Sequence, residues 1–98
     1  MRFEWDEAKR RSNLTRHGID FADLVYVFEG PIVRGGNPII QEVDDRYDYG
    51  EQRFLTFVLL SGRVIAIVHT ETNQTIRLIS ARKASKYEEI KYFKEIWN

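Results

Sequence analysis

The sequence predicts an α+β fold in which an antiparallel sheet of about four to five strands carries two N-terminal helices and one C-terminal helix. Three segments between residues 52 and 81 are rich in β-branched and aromatic residues and are separated by short polar turns, as in adjacent antiparallel strands. Helical patterns with capping residues lie before and after them. The predicted order is β-α-α-β-β-β-α, and a length of 98 residues favours one domain, residues 1–98, around one core.

The N-terminal part predicts a short strand followed by two helices. Residues 1–5 alternate weakly, and Asp6 then offers a side-chain oxygen as N-cap for a helix over residues 7–17. Gly18 follows at the position where a left-handed C-terminal cap is expected. Asp20 can cap a second helix, whose apolar residues recur at helical spacing and predict one buried stripe. The stripe consists of Phe21, Leu24, Val25 and Phe28.

The middle of the chain is less regular. The second helix is expected to end at the Gly-Pro pair at 30–31. Apolar pairs at 32–33 and 39–40 flank a turn cluster over residues 35–38. Either pair can begin a further strand that runs on to Asp45.

The strongest β signal covers three segments, residues 52–60, 63–70 and 75–81. A two-residue hairpin turn at 61–62 joins the first pair, and a polar turn over 71–74 joins the second. The middles of these strands are nearly apolar on both faces. We therefore expect a sheet that is covered on both sides.

The last helix begins with a capping box, since Ser85 and Glu88 have the S-x-x-E spacing. Its large apolar residues then lie on one side of the helix. These are Tyr87, Ile90, Phe93 and Trp97.

The loop before this helix carries two adjacent cations, Arg82 and Lys83. Free N–H groups and the helix dipole favour an anion at such a place, so the loop is a candidate phosphate-binding corner, with a solvated connector as the alternative. Strand alternation puts the two side chains on opposite sides. Arg82 is thus expected to contact substrate, whereas Lys83 and Lys86 are weaker candidates for substrate contact, with solvent or a partner's acidic groups as the alternative for Lys83.

Composition excludes several classes of function. The absence of cysteine excludes disulfides and thiolate metal sites, and two histidines among scattered carboxylates show no metal-ligand spacing, so we expect no metal and no cofactor. A formal net charge of zero means that any nucleic-acid site must be local. The N-terminus lacks the apolar region of a signal peptide, and the longest apolar run, 64–68, is far shorter than a membrane span, so a cytosolic location is expected.

Polar residues at the strand ends suggest a second candidate site. In an antiparallel meander, Arg53 and His69 should lie at the same end of the sheet with Arg77, which gives an Arg/His/Arg row; solvent-exposed strand ends are the alternative. Alternation also places Arg77 and Arg82 on opposite faces. His69 can act in acid–base chemistry or simply pack, and His17 is expected mainly as a helix C-terminal residue. Glu51 is the carboxylate nearest in sequence to the row.

These segments together resemble one family. The resemblance covers nearly the whole chain and rests on the following residues: Phe3-Glu4-Trp5-Asp6-Glu7-Ala8-Lys9, Ser12-Asn13-Leu14, Arg16-His17-Gly18-Ile19, Asp20-Phe21-Ala22-Asp23, Val27-Phe28, Tyr49-Gly50-Glu51-Gln52-Arg53, Gly62-Arg63 and Ile79-Ser80-Ala81-Arg82-Lys83-Ala84. In these segments the chain is similar to the BrnT toxins of bacterial and archaeal toxin–antitoxin systems.

The resemblance implies a RelE-like fold and a ribonuclease that inhibits translation. It also implies a BrnA-like antitoxin with a ribbon-helix-helix DNA-binding region, a toxin–antitoxin complex of 2:2 composition, and repression of the operon through operator DNA bound by the antitoxin. By position it implies a polar and basic site on the sheet. That site would contain Glu51, Arg53, Arg63, Arg77 and Arg82.

A metal-free mechanism fits such a site as a hypothesis. The RNA 2′-OH would be the nucleophile, with Glu51 or His69 as base and the four arginines as a phosphate clamp. A different reading is a non-catalytic module that binds a DNA-binding antitoxin and contributes to autorepression. An unrelated α+β binding domain is the third reading.

Overall fold

The computed structural model describes residues 1–29, 38–46 and 48–97. The N-terminal elements are β1 (Arg2–Glu4), α1 (Glu7–His17), a 3₁₀ helix (Phe21–Leu24) and α2 (Val25–Glu29). The sheet continues with β2 (Ile40–Asp44), β3 (Arg53–Leu60), β4 (Arg63–Thr72) and β5 (Thr75–Lys83), and the last helix is α3 (Lys86–Ile96). The α+β class and the predicted order are confirmed, with β2 as the further strand. The predicted helix end at 30–31, the apolar pair at 32–33 and most of the turn cluster at 35–38 lie outside the described residues.

The described strands form one five-stranded sheet in the order β1-β5-β4-β3-β2. The strands β2 to β5 are antiparallel, as predicted, but β1 runs parallel to β5, with Phe3 beside Ile76. The prediction of a wholly antiparallel sheet is therefore wrong at one edge. No hairpin ties β1 to its neighbour, so nothing in the local sequence sets its direction.

Two tight turns connect the three long strands. Ser61 and Gly62 have φ values of 51° and 78°, and Asn73 and Gln74 have values of 45° and 65°. Positive φ at both central residues gives the turn a twist that matches the right-handed twist of the strands. The second turn is shorter than predicted because β4 continues to Thr72.

The sheet is covered on both faces, as the apolar strand middles predict. One core cluster lies between the sheet and the segment from Ile19 to α2, and it includes Phe21, Leu24 and Ile67. The other lies under α3 and includes Phe57 and Tyr92. Each fully buried aliphatic or aromatic side chain of this size contributes about 1.5–3 kcal/mol to stability.

The second helical segment buries a different stripe from the predicted one. Phe21, Leu24 and Val27 are buried, whereas Val25 and Phe28 are half-buried. The segment begins as a 3₁₀ helix with three residues per turn, so its inward positions recur at i, i+3 and i+6.

A β-bulge on β5 changes which residues share a face. Val68 pairs with Ser80 but His69 pairs with Leu78, so Ile79 is an extra residue in the strand. Thr70 pairs with Arg77 and Ala66 pairs with Arg82, which places both arginines on the face that α3 covers. The prediction that Arg77 and Arg82 lie on opposite faces is wrong, because simple alternation does not survive the bulge.

The apolar side of α3 faces away from the sheet. Tyr92 is buried and Ile96 half-buried, whereas Tyr87, Ile90 and Trp97 are 76%, 56% and 83% exposed. The large apolar residues that share one side of α3 therefore face solvent and not the sheet. None of the described helices is long and apolar enough to cross a membrane.

Candidate functional site

The four predicted clamp arginines do not converge on one point. Arg63 pairs with Leu60 at one end of the β3–β4 hairpin, whereas Arg53 begins β3 at the opposite end. At about 3.3 Å per residue, seven residues separate these positions by roughly 20 Å. Arg63 also shares the face of Ile65, which is the face covered by the N-terminal helices. A single phosphate clamp of all four arginines is therefore excluded.

Arg53 is held by its own neighbours. Its Nε donates to Glu51 Oε2 at 3.1 Å, and its guanidinium carbon lies 4.0 Å from the centre of the Tyr49 ring. The side chain is half-buried in this arrangement. Glu51, just before β3, thus orients Arg53 through an ion pair, and its carboxylate is engaged in that contact.

Arg82 forms a two-pronged ion pair with Glu88, with Nη to Oε distances of 2.7 and 3.0 Å. The same carboxylate accepts the Ser85 N–H at 2.8 Å, and Ser85 Oγ accepts the Glu88 N–H, which completes the predicted capping box. The Arg82 guanidinium holds the pKa of Glu88 at about 2, well below its usual range. Arg82 therefore ties the end of β5 to the start of α3.

The two lysines beside this corner are exposed. Lys83 pairs with Ile65 on the face opposite Arg82, as alternation predicts for neighbouring residues. Lys86 begins α3 and reaches Glu89 at 3.7 Å.

His69 is buried and neutral rather than open to substrate. It lies at the same end of the sheet as Arg53, but it faces the other side and packs between Phe28 and Phe54, with ring centres 4.7 and 5.8 Å away. Its Nε2 is 2.7 Å from Thr56 Oγ1. Burial lowers the pKa of His69 to about 4. The predicted Arg/His/Arg row is therefore split between the two faces of the sheet.

The helix α1 lies along the part of β5 that β1 leaves unpaired. β1 pairs with β5 no further than Arg77. Beyond that point the side chain of Asn13 hydrogen-bonds to the exposed backbone edge of β5. Asn13 Oδ1 accepts the Ala81 N–H at 3.1 Å, and Asn13 Nδ2 donates to Ile19 O at 3.0 Å. One buried amide thus fixes α1 against the strand edge.

A cavity of about 220 Å³ opens between α1 and β5. We call it the α1 groove, and its lining residues are Lys9, Ser12, Asn13, Arg16, His17, Ile79 and Ser80. Lys9, Ser12 and Arg16 line it because residues three and seven positions apart share one side of a helix. The bulge contributes Ile79 and Ser80 from the strand.

A second depression of about 330 Å³ lies at the N-terminal end of α1 and is lined by Glu4, Trp5, Asp6 and Arg77. Arg77 and Ser80 lie on the same face of β5 because of the bulge. The two positions are about three residues apart, or roughly 10 Å along the strand. Arg82 lies on the same face, two residues from Ser80 on the other side, and neither arginine lines the α1 groove. Since Arg82 is paired with Glu88, Arg77 is the predicted arginine near the groove that forms no ion pair with the described residues.

Ion pairing divides the cations of the molecule into two groups. Arg10, Arg46, Arg53, Arg82 and Lys91 are each paired with a carboxylate. Lys86 lies 3.7 Å from Glu89. Within the described part of the chain, Lys9, Arg16 and Arg77 form no ion pair. The other described cations without an ion pair are Arg2, Arg11, Arg63, Lys83 and Lys94. A groove with free cations, hydroxyl groups and an exposed imidazole has groups that can bind phosphate oxygens and exchange a proton with a hydroxyl group of a ligand.

The sequence prediction missed most of this groove. The spacing of Lys9, Ser12 and Arg16 predicts a polar side of α1. Polar helix sides are usually solvated, so spacing alone does not identify these residues as part of a binding site. The sequence predicts His17 mainly as a helix C-terminal residue. Ser80 joins the groove through a bulge that the strand pattern does not reveal.

Among the residues that the structure describes, no group of three His, Asp or Glu side chains is placed so that it could hold a metal ion.

Comparison with known families gives a match over most of the chain. Residues 5–88 match the model of the family described as the ribonuclease toxin, BrnT, of type II toxin–antitoxin systems. No curated protein matches the sequence.

Proposed function

Because this chain belongs to the BrnT family of ribonuclease toxins of type II toxin–antitoxin systems, we propose that the α1 groove is where it binds and cleaves RNA. The observation that carries the proposal is the convergence of Lys9, Arg16 and His17 on one cavity. Lys9 and Arg16 have no ion-pair partner among the described residues, although the chain as a whole has a net charge of zero. An anionic ligand is the partner that such a groove lacks.

The spacing of the cations suits an RNA backbone. Lys9 and Arg16 lie two turns apart on α1, which is roughly 10 Å at 1.5 Å per residue. A strand lying along the helix could place different phosphates on the two side chains. Arg77 extends the basic surface past the N-terminal end of α1.

We propose a reaction without a metal ion, in which the cations of the groove stabilise the charge that develops on phosphorus oxygens. His17 accepts the proton of the RNA 2′-OH as the 2′-oxygen attacks phosphorus. The bond from phosphorus to the 5′-oxygen then breaks, and the leaving oxygen takes a proton from solvent or from the imidazolium. The products are a 2′,3′-cyclic phosphate and a 5′-hydroxyl end.

The proposal changes the roles first expected for the strand residues. Arg77 stays a substrate-binding residue, whereas Arg82 acts through its ion pair with Glu88 and Arg53 through its pair with Glu51. His69 is a packing residue, because its ring is sealed between two phenylalanines. Arg63, Lys83 and Lys86 are exposed cations outside the groove, available to longer RNA or to a partner protein.

The experiment compares RNA cleavage, in EDTA, by wild type and single variants. His17→Gln should lower the cleavage rate about 100-fold or more, which is the size of a general acid–base contribution. Arg16→Ala should lower it by at least 10-fold. Arg11→Ala is the matched control, since it removes the same charge from the same helix at an exposed position outside the groove lining. Equal losses for Arg11→Ala and Arg16→Ala would refute the groove, and loss of wild-type cleavage in EDTA would refute the metal-free step.

The wider role is part of the same proposal. Cleavage of cytoplasmic RNA would inhibit translation, and a BrnA-like ribbon-helix-helix antitoxin would neutralise the toxin in a 2:2 complex that represses its operon. Co-expression of both proteins, with the mass of the purified complex, tests the composition. Growth arrest on expression that His17→Gln relieves supports the enzyme, whereas harmless wild-type expression supports a non-catalytic binding module.

A further inference from the structure

The outward side of α3 is an apolar surface with nothing packed on it among the described residues. We call it the α3 outer face and define it by Tyr87, Ile90, Lys94 and Trp97, which lie on one side of the helix at i, i+3, i+7 and i+10. Tyr87, Ile90 and Trp97 are 76%, 56% and 83% exposed. An exposed aliphatic side chain between two exposed aromatic ones is the composition of a protein-binding surface.

The border of this face is basic. Within the described residues, Lys94 forms no ion pair, and Lys86 reaches Glu89 at a loose 3.7 Å. Glu88 is turned away towards Arg82, so its charge does not offset these lysines. A partner with acidic groups around an apolar contact would complement both features.

The composition of the α3 outer face favours a protein partner over RNA. Ile90 lies in the middle of the face and offers neither a ring for stacking nor a charge for phosphate, so an apolar partner is needed to cover it. The i, i+3, i+7 spacing is also the spacing at which one helix meets another.

We propose that the α3 outer face is the docking surface for the protein antitoxin, through an amphipathic helix with one apolar side and acidic residues along its edges. The inference rests on the proposed toxin–antitoxin role but not on RNA cleavage in the α1 groove. Ile90 and Trp97 are the anchors, and the lysines set the orientation of the bound helix.

The experiment measures binding of the purified antitoxin of the same pair, labelled with a fluorophore, in the absence of RNA. Ile90→Glu should weaken binding at least 30-fold, because it places a charge in the centre of the apolar contact and near the partner's acidic border. Lys94→Glu should weaken it about 3- to 10-fold, with the difference shrinking at high salt. Both positions lie at the surface, so the two variants should melt at the wild-type temperature.

The matched control is Tyr26→Glu. Tyr26 is 77% exposed on α2, a different helix, so its substitution should leave antitoxin binding unchanged. Equal affinity of wild type and Ile90→Glu would overturn the proposal. It would also be overturned if Ile90→Glu only converted a wild-type dimer to a monomer, or only weakened RNA binding. Because RNA is absent from the binding assay, a chain that cleaves no RNA still gives an answer for this surface.

Discussion

The helices α1 and α3 have the same length, 11 residues, but they attach to the same sheet in opposite ways. The polar helix α1 is fixed through the buried amide of Asn13 and turns a basic side to a groove. The more apolar helix α3 is fixed mainly through Tyr92 and turns most of its large apolar residues to solvent. A helix therefore need not use its most apolar side to meet the core. Among the described residues nothing packs on the outer side of α3, and the basic side of α1 borders an open groove; these are the two surfaces for which we propose partners.

The sharpest test of this comparison truncates one inward and one outward side chain of α3 and compares the losses of stability. Tyr92→Ala should cost about 4 kcal/mol of unfolding free energy, because it removes a buried ring and the hydroxyl that donates to Pro38 O at 2.7 Å. Ile90→Ala, on the exposed side, should change stability by less than about 0.5 kcal/mol. Urea unfolding of the two variants measures both values. Similar losses would show that α3 packs through its outer face instead.

The second test measures stability as a function of pH, because His69 lies on the side of the N-terminal helices and Glu88 on the side of α3, and the two groups titrate in different ranges. The folded pKa of His69 is about 4, against 6.5 ordinarily, so the unfolded chain binds more protons between these values and stability falls as pH drops through this window. At 1.36 kcal/mol per pKa unit the loss from pH 7 to pH 4 is about 3 kcal/mol. Glu88 adds a further loss of stability below pH 4.5. Its pKa is about 2 in the folded chain and returns to about 4.5 on unfolding, so the unfolded chain binds more protons in this range.

Urea unfolding of wild type and His69→Gln at pH 7, 5.5, 4.5 and about 3 separates the two contributions. The variant should lose the slope between pH 6.5 and 4 and keep the slope below it. Parallel pH profiles for the two proteins would mean that His69 titrates normally and is not sealed in the core.

The third test concerns the anchor of α1. Asn13→Ala should cost about 2 kcal/mol, because it leaves the Ala81 N–H and the Ile19 carbonyl buried without partners. The neighbouring exposed substitution Ser12→Ala is the control and should be nearly neutral. Thermal unfolding measures both; a neutral Asn13→Ala would show that α1 is held by its ion pairs, such as Arg10 with Asp20, rather than by the amide.

Much of the fold could be predicted because local chemistry determines it. Asp6, Gly18 and Ser85 mark the helix ends, and the turn residues at 61–62 mark a hairpin, each through a backbone requirement that acts within a few residues. The direction of β1 could not be predicted, since it depends on pairing with a strand about 70 residues away.

The candidate site was less predictable because it depends on tertiary contacts. The sequence shows Arg53 and Arg82 as cations, but not that Glu51 and Glu88 already neutralise them. It shows His69 at a strand end, but not the rings that bury it. Nor does it show the bulge at Ile79, which moves Arg77 and Ser80 onto one face.

The contact of Asn13 with Ala81 also limits how this molecule can assemble. An unpaired strand edge is a template for strand addition, by which other chains extend a sheet or aggregate. The free stretch of β5 beyond β1 is closed to that route, because the α1 helix and its amide occupy the edge. A partner that recognises this side of the molecule must therefore bind through side chains. Extension of the sheet is confined to its outer strands, of which β1 is three residues long and β2 five.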